Sequence, residues 1–189
     1  YDANVAYLDD CLGTFFDYLR QAGVLDCSMV IVTSDHGENL GEHGLRDHQF
    51  CVYDTLLRVP LAIRFPDRHL RGIQVDGLVQ TIDIFPTIAG VLGADWEGQH
   101  LMQGQSLAGK QTRDFTVSEY SPTSRLLELV QERGGDPSGL NRELKTVRTD
   151  RFKFIWASDG THELYDIEQD PAESVNLVNE QPQTAERLQ

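Results

Sequence analysis

The chain has 189 residues, 40% of them hydrophobic and 8% aromatic, a composition typical of a folded domain and not of a disordered segment. Its 30 acidic and 16 basic residues give a formal net charge of -14, which repels nucleic-acid phosphates and anionic lipid surfaces. We therefore expect no nucleic-acid partner. No run approaches the ~20 apolar residues of a membrane span, so none is predicted. An anionic ester is still compatible as a substrate, because a bound metal can reverse the local field.

The first 114 residues predict alternating helix and strand. Apolar side chains recur every three or four residues from Asp2 to Ala22, the period of an amphipathic helix. The apolar runs 28–33 and 59–65 have the length and composition of strands, and the first is typical of a strand buried on both faces. Residues 83–92 predict a further helix. This order predicts an α/β domain over residues 1–114, with a parallel or mostly parallel sheet.

Residues 115–189 predict a smaller C-terminal subdomain. Strand-like runs alternate with turns, and a polar insert at 121–141 follows the first of them. Lys153 alternates with Phe152 and Phe154, so the two-residue period of a strand predicts an exposed position for Lys153 on the opposite face. The pattern predicts an antiparallel sheet closed by a tail helix. The strand-like runs are 115–120, 144–149, 152–157 and 163–166.

The loop after the first predicted strand concentrates side chains suited to chemistry. It begins with Ser-Asp-His-Gly-Glu at 34–38, and the carboxyl ends of strands in α/β sheets line functional crevices. A carboxylate oxygen and an imidazole nitrogen both bind divalent cations, so Asp35 and His36 are candidate ligands. Taken alone, the motif is more typical of a turn in which Asp35 caps or forms the turn and His36 is only hydrogen-bonded. Glu38 is expected to brace the loop, and Asp83 to be a helix N-cap.

The loop continues with Leu-Gly-Glu-His-Gly at 40–44 and reaches His48. Together with the run at 34–38, this pattern resembles the sulfatase family of the alkaline phosphatase superfamily, whose members show the same two motifs and a basic residue shortly afterwards. The resemblance extends over nearly the whole chain, in the same order. The further matching segments are 53–63, 82–87, 148–155, 163–166 and 170–173.

The resemblance implies part of an alkaline-phosphatase-like mixed sheet flanked by helices, and a site in the loop just described. Asp35 and His36 fall where the family binds its metal, which implies a divalent cation, first Ca²⁺ and otherwise Mn²⁺, Mg²⁺ or Zn²⁺. His48 falls where many members have a lysine that contacts the sulfate and the leaving-group oxygen, and a histidine can be an anion contact or a general acid. His43 is a candidate substrate-binding residue or a hydrogen-bonding residue within the loop.

The family's nucleophile is a formylglycine made from the first residue of a Cys/Ser-x-Pro/Ala-x-Arg motif. Neither Cys11, Cys27 nor Cys51 begins such a motif, and Ser121 is followed by Pro-Thr-Ser-Arg, with proline and arginine misplaced. We therefore expect this chain to correspond to the C-terminal half of the catalytic chain and to be inactive by itself.

Three functions are compatible with these patterns. The resemblance favours a sulfuric ester hydrolase acting on a small-molecule or glycan sulfate ester. A phosphonate monoester or phosphodiester hydrolase of the same superfamily is the first alternative, because Asp-His-Gly occurs there too. The second alternative is a non-catalytic, stand-alone binding or assembly module. If the sheet of the catalytic domain is divided between this chain and the missing half, strand edges and apolar faces are exposed here. Such surfaces predict self-association into a homo-oligomer.

Overall fold

The computed structural model describes residues 1–66, 70–94, 99–109 and 113–189. The sequence predicts a surface position for His69, but this residue lies outside the described ranges. The chain forms two compact units, one made of Tyr1–Ser34 and Pro60–Val75 and the other of Asp35–Val59 and Asp76–Gln189. Within the described ranges, each helix is too short or too polar to cross a membrane. The domain boundary predicted between residues 114 and 115 remains a prediction.

Helices and strands are interspersed along the first part of the described chain, and strands predominate in the second part. The helices are α1 (Asp2–Gln21), α2 (Asp54–Leu57), α3 (Ile84–Val91), α4 (Ser124–Glu132) and α5 (Pro182–Leu188). The strands are β1 (Val30–Thr33), β2 (Asn39–Leu40), β3 (Arg46–Asp47), β4 (Leu61–Arg64), β5 (Thr116–Tyr120), β6 (Leu144–Arg148), β7 (Phe152–Ala157) and β8 (Glu163–Asp166).

The first unit contains α1 and the pair of strands β1 and β4. Helix α1 confirms its prediction and ends before Gly23, whose φ of 71° is the left-handed conformation that terminates helices. The predicted parallel arrangement is wrong for these strands, since β1 and β4 are antiparallel, with Val30 opposite Arg64. Burial on both faces is also wrong, because Val32 is 39% exposed. An apolar run predicts a strand. The direction of that strand in the sheet and the burial of its two faces depend on residues distant in sequence.

The second unit contains a four-stranded antiparallel sheet in the order β5-β6-β7-β8, which confirms the predicted C-terminal sheet. Apolar residues cover both faces of the sheet, so its central strand β7 is almost entirely buried. The chain is therefore α/β, with a mixed helix and sheet content. The buried cluster at one face consists of Val52, Leu144, Ile155, Ala157, Tyr165 and Ile167, and the cluster at the other face consists of Phe154, Leu164 and Ala185.

Lys153 does not have the exposed position predicted for it. It has 0% exposed surface, and its Nζ lies 2.9 Å from Asp54 Oδ1 and 2.7 Å from Glu173 Oε1. The period of the strand does place Lys153 opposite Phe154, but the face that Lys153 shares with Ile155 is also covered. The prediction failed because alternation distinguishes two faces without showing whether either of them meets solvent.

Asp83 braces the start of α3 in a way that differs from the predicted cap. Its fully buried carboxylate accepts the backbone N–H groups of Gln80 and Gln105, each at 2.8 Å, and pairs with Arg113. The carboxylate makes no capping hydrogen bond to the first turn of α3. Asp83 therefore joins the helix start to two later segments, and these partners occupy both of its oxygens.

Candidate active site

The site loop, residues 35–49, is attached to α2 through Gly37. The Gly37 N–H donates to the Leu56 carbonyl at 2.8 Å, and a Cβ at Gly37 would lie 1.9 Å from the carbonyl oxygen of Thr55. Any larger residue would overlap this backbone atom, so the close approach requires glycine. The Thr55 hydroxyl also donates to Oδ1 of Asn39, a fully buried residue, at 2.6 Å. These contacts fix the backbone on both sides of Glu38.

Three side chains of the site loop converge on a small volume. The rings of His36 and His48 stack with 4.3 Å between their centroids and an angle of 20°. His48 Nδ1 lies 3.3 Å from Glu38 Oε2, and one ligand atom from each of the three residues lies within 4.8 Å of the others. Sequence reasoning assigned Glu38 only to bracing, although its position two residues after His36 is compatible with a shared site.

Asp35 lies beside this cluster but outside it. Its Oδ2 is 3.8 Å from His36 Nε2, and its Oδ1 accepts the backbone N–H of His36 at 3.1 Å. The Asp35 side chain is 86% exposed. His36 Nδ1 is 2.8 Å from the Gly37 carbonyl, which orients the ring. The exposed Asp35 carboxylate is thus accessible to a cation beside His36, and the role of the two residues as metal ligands remains a prediction.

The donor set of this loop fits a divalent cation. The imidazole nitrogen of His36 and the carboxylate oxygens of Asp35 and Glu38 are ligand types that Zn²⁺ and Mn²⁺ accept, whereas Ca²⁺ takes six to eight oxygen ligands. The predicted preference for Ca²⁺ would therefore depend on Asp35 and Glu38 and on oxygen ligands besides them. The donor set therefore fits a divalent cation and does not select one element.

His48 is oriented by carboxylates at one edge of its ring. Besides Glu38, its Nδ1 lies 2.7 Å from Asp47 Oδ1, which also accepts the backbone N–H of His48 at 2.8 Å. Asp47 has a φ of 75°, a left-handed conformation that turns the chain between β3 and His48. In the ring forms that carry a proton on Nδ1, this nitrogen can donate to these carboxylates, and Nε2 is the ring nitrogen left to meet another group.

His43 lies against an aromatic cluster. Its ring stacks on Tyr53 with 3.7 Å between centroids and an angle of 12°. The Tyr53 hydroxyl donates to Glu163 Oε2 at 2.9 Å, and the Tyr165 hydroxyl donates to the same oxygen at 2.7 Å. Among the described residues, the cluster of potential metal ligands does not include His43. Its predicted contact with substrate remains a prediction.

The two tyrosines that share Glu163 should make the protein sensitive to alkaline pH. Burial, followed by the neighbouring Glu163 carboxylate, raises the pKa of Tyr53 and the pKa of Tyr165 above the ordinary value of 10.0. The unfolded chain therefore loses these protons at a lower pH than the folded chain. Their contribution to stability is fully present below pH 10 and is lost as the pH rises further.

We expect the free energy of unfolding, measured by urea denaturation, to fall more steeply above pH 10 in the parent chain than in a Tyr53→Phe, Tyr165→Phe double variant. Tyr18→Phe, at a 66% exposed position, is the matched control and should keep the steep fall. Equal slopes in the parent chain and the double variant would contradict this assignment.

Comparison with known proteins places the chain in a family. The family model described as Sulfatase matches residues 1–94. Arylsulfatase K of Bos taurus is 30% identical over 191 residues, which cover 100% of this chain and 34% of that protein. N-acetylglucosamine-6-O-sulfatase of Bacteroides thetaiotaomicron is 30% identical over 183 residues, which cover 94% of this chain and 31% of that protein. The chain thus spans about a third of the length of these relatives.

A solved structure agrees with this relationship at the level of the fold. The phosphonate monoester hydrolase of Agrobacterium radiobacter superposes with a TM-score of 0.77 at 27% sequence identity, covering 97% of this chain and 37% of that protein. The chain belongs to the sulfatase family of the alkaline phosphatase superfamily. The resemblance found in the loop motifs is therefore confirmed, and so is the fold class that it implied.

Proposed function

We propose that this protein takes part in the metal-dependent hydrolysis of sulfate esters, with the site loop supplying part of the active site. The observation that carries the proposal is the convergence of His36, Glu38 and His48 within 4.8 Å in a chain of the sulfatase family. Asp35 and His36 hold the divalent cation, and Glu38 lies close enough to share it. When bound, the ion polarises the oxygens of the sulfate group.

His48 contacts the ester in this proposal. When the ring is doubly protonated, its Nδ1–H faces the carboxylates of Asp47 and Glu38, and its Nε2–H can donate a hydrogen bond to the departing oxygen or protonate it as a general acid. His48 thus takes the part of the lysine that the family resemblance implies at this position. The carboxylate partners keep the imidazole ring in one orientation. A lysine at this position would need no such partner, because its ammonium group can donate in several directions.

We expect this chain not to supply the nucleophile, because none of its three cysteines begins the formylglycine motif that the family resemblance implies, and Ser121 lacks the motif's spacing. We expect the isolated chain to bind a divalent cation weakly and to leave aryl sulfates intact. As substrate we propose a sulfated sugar, which is supported by the name of the N-acetylglucosamine-6-O-sulfatase relative. Phosphonate monoester hydrolysis is the second candidate, supported by the superposed hydrolase from Agrobacterium radiobacter.

Turnover of p-nitrophenyl sulfate and of a phenylphosphonate monoester by the full-length protein tests both candidates. Asp35→Ala and His48→Ala should each lower kcat/KM for the true substrate class by about 10²-fold or more, since each removes a charge-stabilising or proton-transferring group. His100→Ala, at an exposed position outside the site loop, is the control. Unchanged turnover in both site variants would exclude this site, and loss confined to the phosphonate ester would favour the second candidate.

A further inference from the structure

A buried ion cluster links the C-terminal sheet to the segment that supports the site loop. Lys153 of β7 is completely buried, and its Nζ contacts Asp54 Oδ1 at 2.9 Å and Glu173 Oε1 at 2.7 Å. Glu173 is only 2% exposed, and its second oxygen accepts the backbone N–H of Asp54 at 2.6 Å. Asp54 is thus held through its side chain by Lys153 and through its main chain by Glu173.

Asp54 begins α2, and the two residues after it touch the metal-binding part of the site loop. The carbonyl of Leu56 accepts the Gly37 N–H at 2.8 Å, and the carbonyl of Thr55 is the atom against which Gly37 packs. Gly37 directly follows His36. Only three consecutive residues of α2 therefore separate the buried lysine from the loop that carries the site.

Stability alone does not account for charged groups in this place. A buried ion pair is often no more stabilising than apolar side chains of the same volume, whereas it demands one arrangement of its partners. Apolar residues at 54, 153 and 173 could cover the sheet, but they would allow α2 to shift along it. A direct lysine–aspartate contact at 2.9 Å restricts that movement.

We infer that Lys153 is a positioning residue for the active site, which holds α2 through Asp54 and thereby sets the place of His36 and its neighbours. This inference rests on the proposed function for the site loop, but the attachment of the loop can be measured without any metal or substrate. The lysine does not touch the reacting atoms. It acts through Asp54, α2 and Gly37.

Hydrogen exchange of the Gly37 amide, followed by NMR in the whole chain, tests this attachment. Lys153→Met should speed exchange at Gly37, whose N–H bonds to α2, on the order of tenfold. Lys145→Met is the matched control, because Lys145 lies on the neighbouring strand with its side chain 54% exposed and pairs with Glu119 at 3.3 Å. That control should leave exchange at Gly37 unchanged.

A second variant separates positioning from general loss of stability. Lys153→Met with Glu173→Gln removes the unpaired buried charge while the glutamine oxygen can still accept the Asp54 N–H. Amides of β6 and β7 should recover part of the protection that Lys153→Met loses, whereas exchange at Gly37 should stay as fast as in Lys153→Met. If Gly37 and the sheet recovered together, or if Gly37 never changed, the positioning role would be overturned.

Co²⁺ titration, read by its visible absorption spectrum, gives the functional arm. Lys153→Met with Glu173→Gln should weaken Co²⁺ binding on the order of tenfold relative to the parent chain. Substituting residues that orient metal ligands without touching the metal commonly has an effect of this size. A parent chain that bound no Co²⁺ would count against the proposed metal site, and the exchange result would then decide the positioning role alone. If the folded double variant bound Co²⁺ as tightly as the parent chain, the positioning role itself would be overturned.

Discussion

Replacing Lys153 with methionine is expected to lower the free energy of unfolding by about 3–5 kcal/mol, because one partner of a buried ion cluster is removed. Asp54 and Glu173 would remain as neighbouring carboxylates, with Arg148 Nε 3.6 Å from Asp54 Oδ2 as the other positive group within reach. Burial already raises the pKa of Glu173, and the Lys153 charge opposes that rise. Without the lysine, one carboxylate must take up a proton or leave its buried position.

Urea denaturation at neutral pH measures this loss. Lys145→Met removes a partly exposed lysine from the same sheet and should cost about 1 kcal/mol or less, the usual value of a surface ion pair. When Glu173→Gln is added to Lys153→Met, the free energy of unfolding should recover in part, because the uncompensated charge of Glu173 disappears. A Lys153→Met variant as stable as Lys145→Met would show that the cluster contributes little to stability.

Gly37→Ala is expected to displace the site loop, because the added methyl group would lie 1.9 Å from the Thr55 carbonyl oxygen. The overlapped atom belongs to the backbone and cannot rotate away as a side chain could. Either α2 or the loop must move, which breaks the Gly37–Leu56 hydrogen bond. We expect a loss of about 3 kcal/mol, the upper part of the range for overpacking, and loss of Co²⁺ binding at the site.

Gly139→Ala is the matched control for this substitution, since a Cβ at Gly139 meets no atom within 4 Å. It should change the free energy of unfolding by no more than about 0.5 kcal/mol and leave Co²⁺ binding intact. Thermal unfolding followed by circular dichroism, with the Co²⁺ titration on the same samples, compares the two variants. Equal behaviour of the two alanine variants would mean that the loop is not held against α2 as described.

The local pattern of the sequence was sufficient for most elements and for the motif of the site. Helix α1 and the four strands of the C-terminal sheet lie within a few residues of their predicted bounds, because a period of 3.6 or of 2 is contained in each segment. The pairing of Asp35 with His36 is equally local. The family itself could be inferred from the order of short motifs along the chain, and the comparisons confirmed it.

Only the tertiary structure decided the surroundings of these elements. Lys153 and Asp54 are separated by 99 positions, so no periodicity could reveal that the second face of β7 is buried or which carboxylates meet the lysine there. The antiparallel direction of β1 and β4 and the approach of Glu38 to His48 likewise depend on the path of the backbone. The sequence by itself determined which residues could do chemistry, and packing between distant segments determined which of them stand together.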